Sequence, residues 1–156
     1  MTTSQTTVSR SLIPGLRALE DSLAPLAEPL IRVAAGLFLM PHGAQKLFGW
    51  FGGYGIDETG TFFITVYSLP AYLAVIAGVI EFFVGLLLAL GLATRLSAAL
   101  ITGMMAVVVI HVHWSQGFFW TENGVEFPLM WTIIAFAYLL RGGGRYSLDH
   151  AIGAEL

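Results

Sequence analysis

Several ionisable side chains lie within or beside long apolar stretches of this sequence, where polar groups are uncommon. Imidazole, ammonium and carboxylate groups could there donate hydrogen bonds to a polar ligand or relay protons. Inside a bilayer each such group costs about 2.5–3.5 kcal/mol unless it is paired, which makes it a functional candidate. The candidates are His42, Lys46, Glu81, His113 and Glu126.

Two chemical roles are predicted for these residues. The group expected to carry the chemistry is His42, Lys46 and Glu81. The residues expected to bind a cofactor are His42, Lys46, His113 and Glu126. The alternative is structural: Lys46 would pair with Glu81 or Glu126 and fasten the helices together without any ligand.

No metal site is predicted. His111 and His113 form an H-x-H pair, but on a regular helix residues two apart point about 160° from each other. The two rings could hold one metal only if the helix were unwound there. The sequence has no cysteine, which excludes disulfides, thiol redox chemistry and cysteine-ligated clusters.

The composition indicates an integral membrane protein. The chain has 156 residues, of which 56% are hydrophobic and 11% are charged, whereas soluble domains contain about 25% charged residues. The mean hydropathy is +0.78. The formal net charge of −3 gives no reason to expect a nucleic-acid partner.

Four stretches are apolar enough to cross a bilayer, which requires about 20 residues each. They predict an all-α fold, an integral membrane four-helix bundle occupying residues 28–141. The first stretch is the weakest because it contains polar residues, and a half-inserted first helix is the alternative. The spans are expected at about 29–50, 70–93, 96–114 and 127–141.

Both ends of the chain are expected to lie outside the bundle. Residues 1–27 are predicted to be a polar tail, in which apolar residues at positions 12, 16, 19, 23 and 26 suggest an amphipathic interfacial helix. A loosely ordered lead-in is the alternative. Residues 142–156 are predicted to be a short tail, and residues 51–69 and 115–126 to be loops.

The distribution of basic residues predicts that both termini face the cytoplasm. The two predicted loops contain no Lys or Arg, whereas basic residues lie near each end of the chain and in the second turn; such residues favour the cytoplasmic side. Arg32 is expected to snorkel to the cytoplasmic headgroups. The basic residues that set this bias are Arg10, Arg17, Arg95, Arg141 and Arg145.

Helical spacing predicts which faces point inward. Small residues, which let membrane helices approach closely, share one side of the second span with Glu81. His42 and Lys46 share a face with glycines of the first span. All the candidates are therefore expected to meet in a polar cavity that reaches from the membrane midplane to the outer side. On the third span the expected inward face carries Ala99, Thr102, Gly103, Ala106 and His113.

Three sequence patterns resemble those of the DoxX family of small bacterial membrane proteins. They are R-x3-G-x6-G-x2-K from Arg32 to Lys46, E-x3-G-x5-G-x3-R from Glu81 to Arg95, and GRYSLD at residues 144–149. The resemblance covers about residues 28–150. It implies a four-helix protein of the bacterial inner membrane, with kinship to the small membrane subunit of thiosulfate:quinone oxidoreductase.

Two functions follow as expectations. In the first, the protein is the membrane subunit of a redox complex that binds a quinone in the outer-half cavity, and a partner protein supplies the electrons. In the second, it is a non-enzymatic membrane anchor or assembly factor, or a permeation protein for protons or a small solute. Besides the lipid bilayer, a homodimer formed through Gly85 and Ala89 is considered.

Overall fold

The computed structural model describes residues 14–154, which are helical with connecting turns and no strand. The all-α fold class is therefore confirmed over this part of the chain. Residues 1–13 of the tail predicted at 1–27 lie outside the described residues. The helices are α1 (Arg17–Phe48), α2 (Gly55–Tyr67), α3 (Tyr72–Leu90), α4 (Thr94–Gln116), α5 (Glu126–Arg141) and α6 (Leu148–Ile152).

Three of these helices, α1, α3 and α4, are long and apolar enough to cross a membrane. α5 has 16 residues and is therefore about 24 Å long, shorter than the ~30 Å hydrocarbon core. A fourth span at α5 stays a prediction. Residues 17–27, expected as a separate interfacial helix, instead continue directly into the first span as part of α1.

Glycines allow α1 and α3 to pack backbone against backbone. A Cβ atom at Gly36 would lie 2.7 Å from the backbone nitrogen of Ala89, and one at Gly43 would lie 2.7 Å from the carbonyl oxygen of Gly78. These contacts confirm the inward faces predicted for the first two spans. Gly85 and Ala89 are buried in this contact within one chain, so they are not available for the dimer considered above.

The inward face of α4 differs from the predicted one. The residues that pack against α5 are larger, with Ile101 and Met105 buried beside Tyr138. Gly103, expected inside, is exposed, and a Cβ atom there would meet nothing within 4 Å. The physical reason is that α4 packs mainly through bulky side chains of the core, while Ala99 and Gly103 line an open cavity.

The segment predicted as a loop at residues 51–69 contains α2. Asp57 and Glu58 lie in its first turn, where acidic side chains interact favourably with the helix dipole. Gly60 packs against Ala71, which directly precedes α3. A Cβ atom at Gly60 would lie 3.2 Å from the Cβ atom of Ala71. The glycines before α2 suggested flexibility, but tertiary packing stabilises the helix.

Arg32 lies inside the protein, and the expectation that it snorkels to the headgroups is wrong. Its side chain is 1% exposed and donates to the carbonyl oxygens of Leu88 (2.9 Å), Ala89 (2.8 Å) and Tyr146 (2.7 Å). The last carbonyls of a helix have no partner within it, so Arg32 caps the C-terminal end of α3. Arg95 likewise donates to carbonyls that end α5.

Residues beyond 141 fold back onto the bundle, which corrects the prediction of a simple tail. The Asp149 carboxylate accepts hydrogen bonds from Ala93 N (2.7 Å), Thr94 N (2.8 Å) and Thr94 Oγ1 (2.6 Å). It thereby caps the N-terminus of α4 and holds Ala93, whose φ of 47° is unfavourable for a residue with a Cβ. We call the end of the bundle at which Arg32, Arg95 and Asp149 lie the anchor end.

The glycine contact makes a stability prediction. Gly36→Ala should destabilise the protein by about 1–3 kcal/mol because the new methyl group overpacks the contact with α3. Gly103→Ala is the matched control and should be neutral or stabilising by up to about 1 kcal/mol, because alanine favours helix and this site is open. Thermal unfolding in mild detergent measures both; equal midpoints for the two variants would contradict the packing.

The Asp149 cap predicts a pH dependence. Burial alone would raise the pKa of Asp149, but the hydrogen bonds from Thr94 and Ala93 bring it below the usual value. A carboxyl group with a lowered folded-state pKa stabilises the protein above its unfolded pKa of about 3.9, and this stability disappears as the pH falls further.

Asp149→Asn should therefore cost about 1–3 kcal/mol at pH 7, and the difference from the wild type should shrink as the pH falls below about 4. Thermal unfolding across this range measures it, with Asp57→Asn as the control at an exposed carboxylate. A difference that stays constant with pH would show that the charge of Asp149 is unimportant.

Candidate functional site

A large cavity lies at the side of the bundle covered by α2, away from the anchor end. Its volume is about 1330 Å³. All five helices from α1 to α5 contribute to its wall, which is mostly aromatic and aliphatic. The exposed Gly103 of α4 lies on this wall, so the missing side chain adds directly to the open space.

The polar part of the wall is an ion pair between α1 and α3. Lys46 Nζ lies 2.9 Å from Glu81 Oε1 and 2.7 Å from Glu81 Oε2. The Glu81 residue is 7% exposed, yet both side chains reach the cavity. Packing explains their meeting, because Gly78 lies one turn before Glu81 and leaves room for the stem of Lys46.

Glu81 lies in a π-helical turn of α3, Ile80–Val84. Such turns are rare within α-helices and are found frequently at functional sites. Here the wider turn lies where α3 passes α1, so the distortion and the ion pair occur at the same level of the bundle. The glycines on both sides of the turn keep the two helices in contact.

His42 lies on the cavity wall beside the ion pair. Its imidazole is exposed, and its carbonyl oxygen lies 3.4 Å from Lys46 Nζ, a long distance for a hydrogen bond. Pro41 precedes it inside α1 and removes one backbone donor from the helix. Because the His42 ring is exposed on the cavity wall, it can contact a ligand there.

His111 and His113 point to different parts of the protein. His113 lines the cavity, and its Nδ1 contacts Asn123 O. His111 Nε2 lies 3.1 Å from Tyr67 O at the end of α2. The helix is π-helical here, at Val108–His113, but the two rings still diverge. In residues 14–154 no three His, Asp or Glu side chains are grouped to hold a metal.

Glu126 does not join the other candidates. Its Oε2 accepts a hydrogen bond from Trp120 N at 3.1 Å, and it is not among the residues that line the cavity. The structure thus brings together four of the five candidate residues. The fifth stabilises the turn between α4 and α5.

Sequence reasoning missed the aromatic part of the site. Phe62, Phe63 and Tyr67 of α2 and Trp131 of α5 line the cavity. Trp131 Nε1 donates to Ala35 O at 3.3 Å, and burial raises the pKa of the Tyr67 phenol, which keeps it protonated. The spacing of the aromatic residues in α2 was the available signal, but a loop was expected there.

Comparisons with known proteins agree with this architecture. The long apolar helices and the helical bundle define a multi-pass membrane protein. The sequence profile of the DoxX family matches residues 29–114, which is more than half of the chain. The chain belongs to the DoxX family.

One relative is a protein of Haemophilus influenzae described as uncharacterized. It is 32% identical over 66 residues, which cover 42% of this chain and 44% of the relative. The match therefore spans less than half the length of either protein. No solved structure matches the chain.

The ion pair makes a second stability prediction. Lys46→Met should destabilise the protein by about 3–5 kcal/mol because it leaves the buried Glu81 carboxylate without its cation. The double variant Lys46→Met/Glu81→Gln should regain most of that loss, since no charge then stays buried. Thermal unfolding of the purified proteins tests this, and a double variant as unstable as Lys46→Met would contradict the pairing.

Proposed function

We propose that the protein crosses the bacterial inner membrane four times, with both termini in the cytoplasm. α5 would be the fourth span, entering at the side of the cavity and ending near Arg141. The anchor end carries Arg32, Arg95 and Arg141, while the connections on the cavity side contain no Lys or Arg. This bias supports a cytoplasmic anchor end, which puts the cavity in the outer half of the membrane.

We propose further that the protein is the membrane subunit of a quinone-linked redox complex and binds the quinone in the cavity. The observation that carries this proposal is the Lys46–Glu81 ion pair on the wall of a mostly apolar cavity. A lipophilic ligand with a polar head matches this combination, because the apolar wall can enclose its tail and the ion pair can bind its head.

The residues of the cavity fit a quinone headgroup. An ammonium group has three N–H donors, and Lys46 uses two on Glu81. The third has only the long contact with His42 O, so Lys46 can donate to a carbonyl oxygen of the ligand. The volume exceeds the 300–1,000 Å³ typical of ligand pockets, which leaves space for part of an apolar tail.

The chain's own residues would assist proton movement. When bound, a quinone supplies reversible chemistry of two electrons and two protons. Glu81 and His42 both line the cavity, so the carboxylate could hold a proton and the imidazole could pass it to the ligand. A soluble or membrane-bound redox partner would provide the electrons.

One observation favours a second candidate function. Lys46 and Glu81 neutralise each other fully without a ligand, as expected if the pair only fastens α1 to α3. The protein would then be a membrane anchor or assembly factor, or a permeation pathway for protons or a small solute. The size of the cavity favours ligand binding over a simple anchor.

Extraction tests the proposal first. Protein purified in mild detergent should contain a quinone at a stoichiometric ratio, detected by mass spectrometry of an organic extract. Re-addition of a short-chain quinone to extracted protein in nanodiscs should quench the fluorescence of Trp131, which lies on the cavity wall. Trp131→Phe identifies the part of the signal that comes from the site.

Glu81→Gln should leave membrane insertion intact but weaken quinone binding at least about tenfold, as expected for loss of a charged hydrogen-bonding group worth 1.5–3 kcal/mol. Gln45→Met is a control that changes a neighbouring residue on the same cavity wall without adding a charge beside the ion pair. Quinone-free protein together with unchanged fluorescence on titration would reject the quinone proposal and favour the second candidate.

A further inference from the structure

The first eleven residues of α1 extend beyond the bundle. Glu28 is where contacts with the bundle begin, because Tyr138 donates to its carbonyl and Arg141 pairs with its carboxylate. Every residue from 17 to 27 is exposed to the surroundings of the chain. α1 thus continues past the anchor end as a free helical stem, defined here as residues 17–27.

Leucines form a continuous stripe along this stem. Their spacing alternates between three and four residues, which is the heptad spacing of coiled coils, and it continues into the membrane-spanning part at Val33 and Leu37. Each of these side chains is exposed. The stem contains Leu19, Leu23 and Leu26, and the stripe continues with Leu16 just before the stem and Leu30 just after it.

Lipid does not reach most of this stripe if the helix is straight. Arg32 is level with the end of α3, and we take the end of this apolar helix as the edge of the hydrocarbon. Leu19 lies thirteen residues before Arg32, or about 20 Å further along the axis. The headgroup region extends only about 5–8 Å beyond the hydrocarbon. Leu19 and Leu23 therefore lie in water unless another surface covers them.

We propose that the stem pairs with the stem of a second copy of this chain in a parallel coiled coil. The membrane orients every copy in the same direction, so two stems that meet are parallel and in register. The flanking positions suit this pairing, because they hold Glu20, Ser22 and Ala27 and place no like charges opposite each other. The charged Arg17 and Asp21 lie on the outer face.

The rest of the stripe supports a dimer of this form. Val33 and Leu37 lie on the same side of α1 as the stem leucines, away from the glycine contact with α3, because Gly36 and Gly43 face inward. The two copies can therefore approach along one line from the stem into the membrane. The cavities remain on the far half of each bundle.

Cysteine cross-linking tests the proposal in a chain that has no cysteine of its own. Leu23→Cys places a thiol on the stripe, and Asp21→Cys places one on the opposite face of the same turn. In liposomes under mild oxidation, Leu23→Cys should convert most of the protein to a covalent dimer, whereas Asp21→Cys should stay monomeric. Both positions are exposed, so neither substitution should impair folding.

A second measurement separates the dimer from a stem that bends at Pro25 or Pro29 and lies on the lipid. A fluorophore on Ala27→Cys, at a flanking position that is exposed, should be unaffected by brominated lipids if the stem pairs with a second stem away from the lipid. Strong quenching without cross-linking would overturn the proposal in favour of a surface helix. Equal cross-linking at positions 21 and 23 would also overturn it, because it would indicate random collision.

Discussion

The close approach of α1 and α3 at their glycines is the contact on which the rest of the structure depends. It places Arg32 beneath the last carbonyls of α3 and, four turns further along, Lys46 beside Glu81. A buried guanidinium and a buried carboxylate are tolerated only because each finds partners at that spacing. One backbone-to-backbone contact therefore fixes both the anchor end and the polar wall of the cavity.

The different ways in which α3 and α4 pack against their neighbours explain why the cavity exists. Small residues bring α3 against α1, whereas Ala99 and Gly103 of α4 line the open cavity. Bulky side chains hold α4 and α5 together instead. Small residues thus bring two helices into contact where the opposite helix also has small residues, and they line a cavity where no helix packs against them.

The structure shows which features of the fold and of the candidate site can be predicted from the sequence. The faces of the first two spans follow from helical spacing. The cost of unpaired charges in lipid suggested a carboxylate partner for Lys46, but the sequence left Glu81 and Glu126 open and the structure identifies Glu81. The face of α4, the helix α2 and the burial of Arg32 do not follow, because each depends on a partner distant in sequence. The family resemblance is confirmed, but its motifs did not reveal that two of their arginines cap helices.

The position of Asp149 has a consequence for biosynthesis. Residues that complete the anchor end emerge from the ribosome only after α1 to α5 have been made, whereas the ion pair needs nothing beyond residue 81. The cavity side of the bundle can therefore assemble early, while the turn at Ala93 stays uncapped until translation passes Asp149. A chain that stops before residue 146 would leave the N-terminus of α4 without its cap and Arg32 without its bond to Tyr146 O.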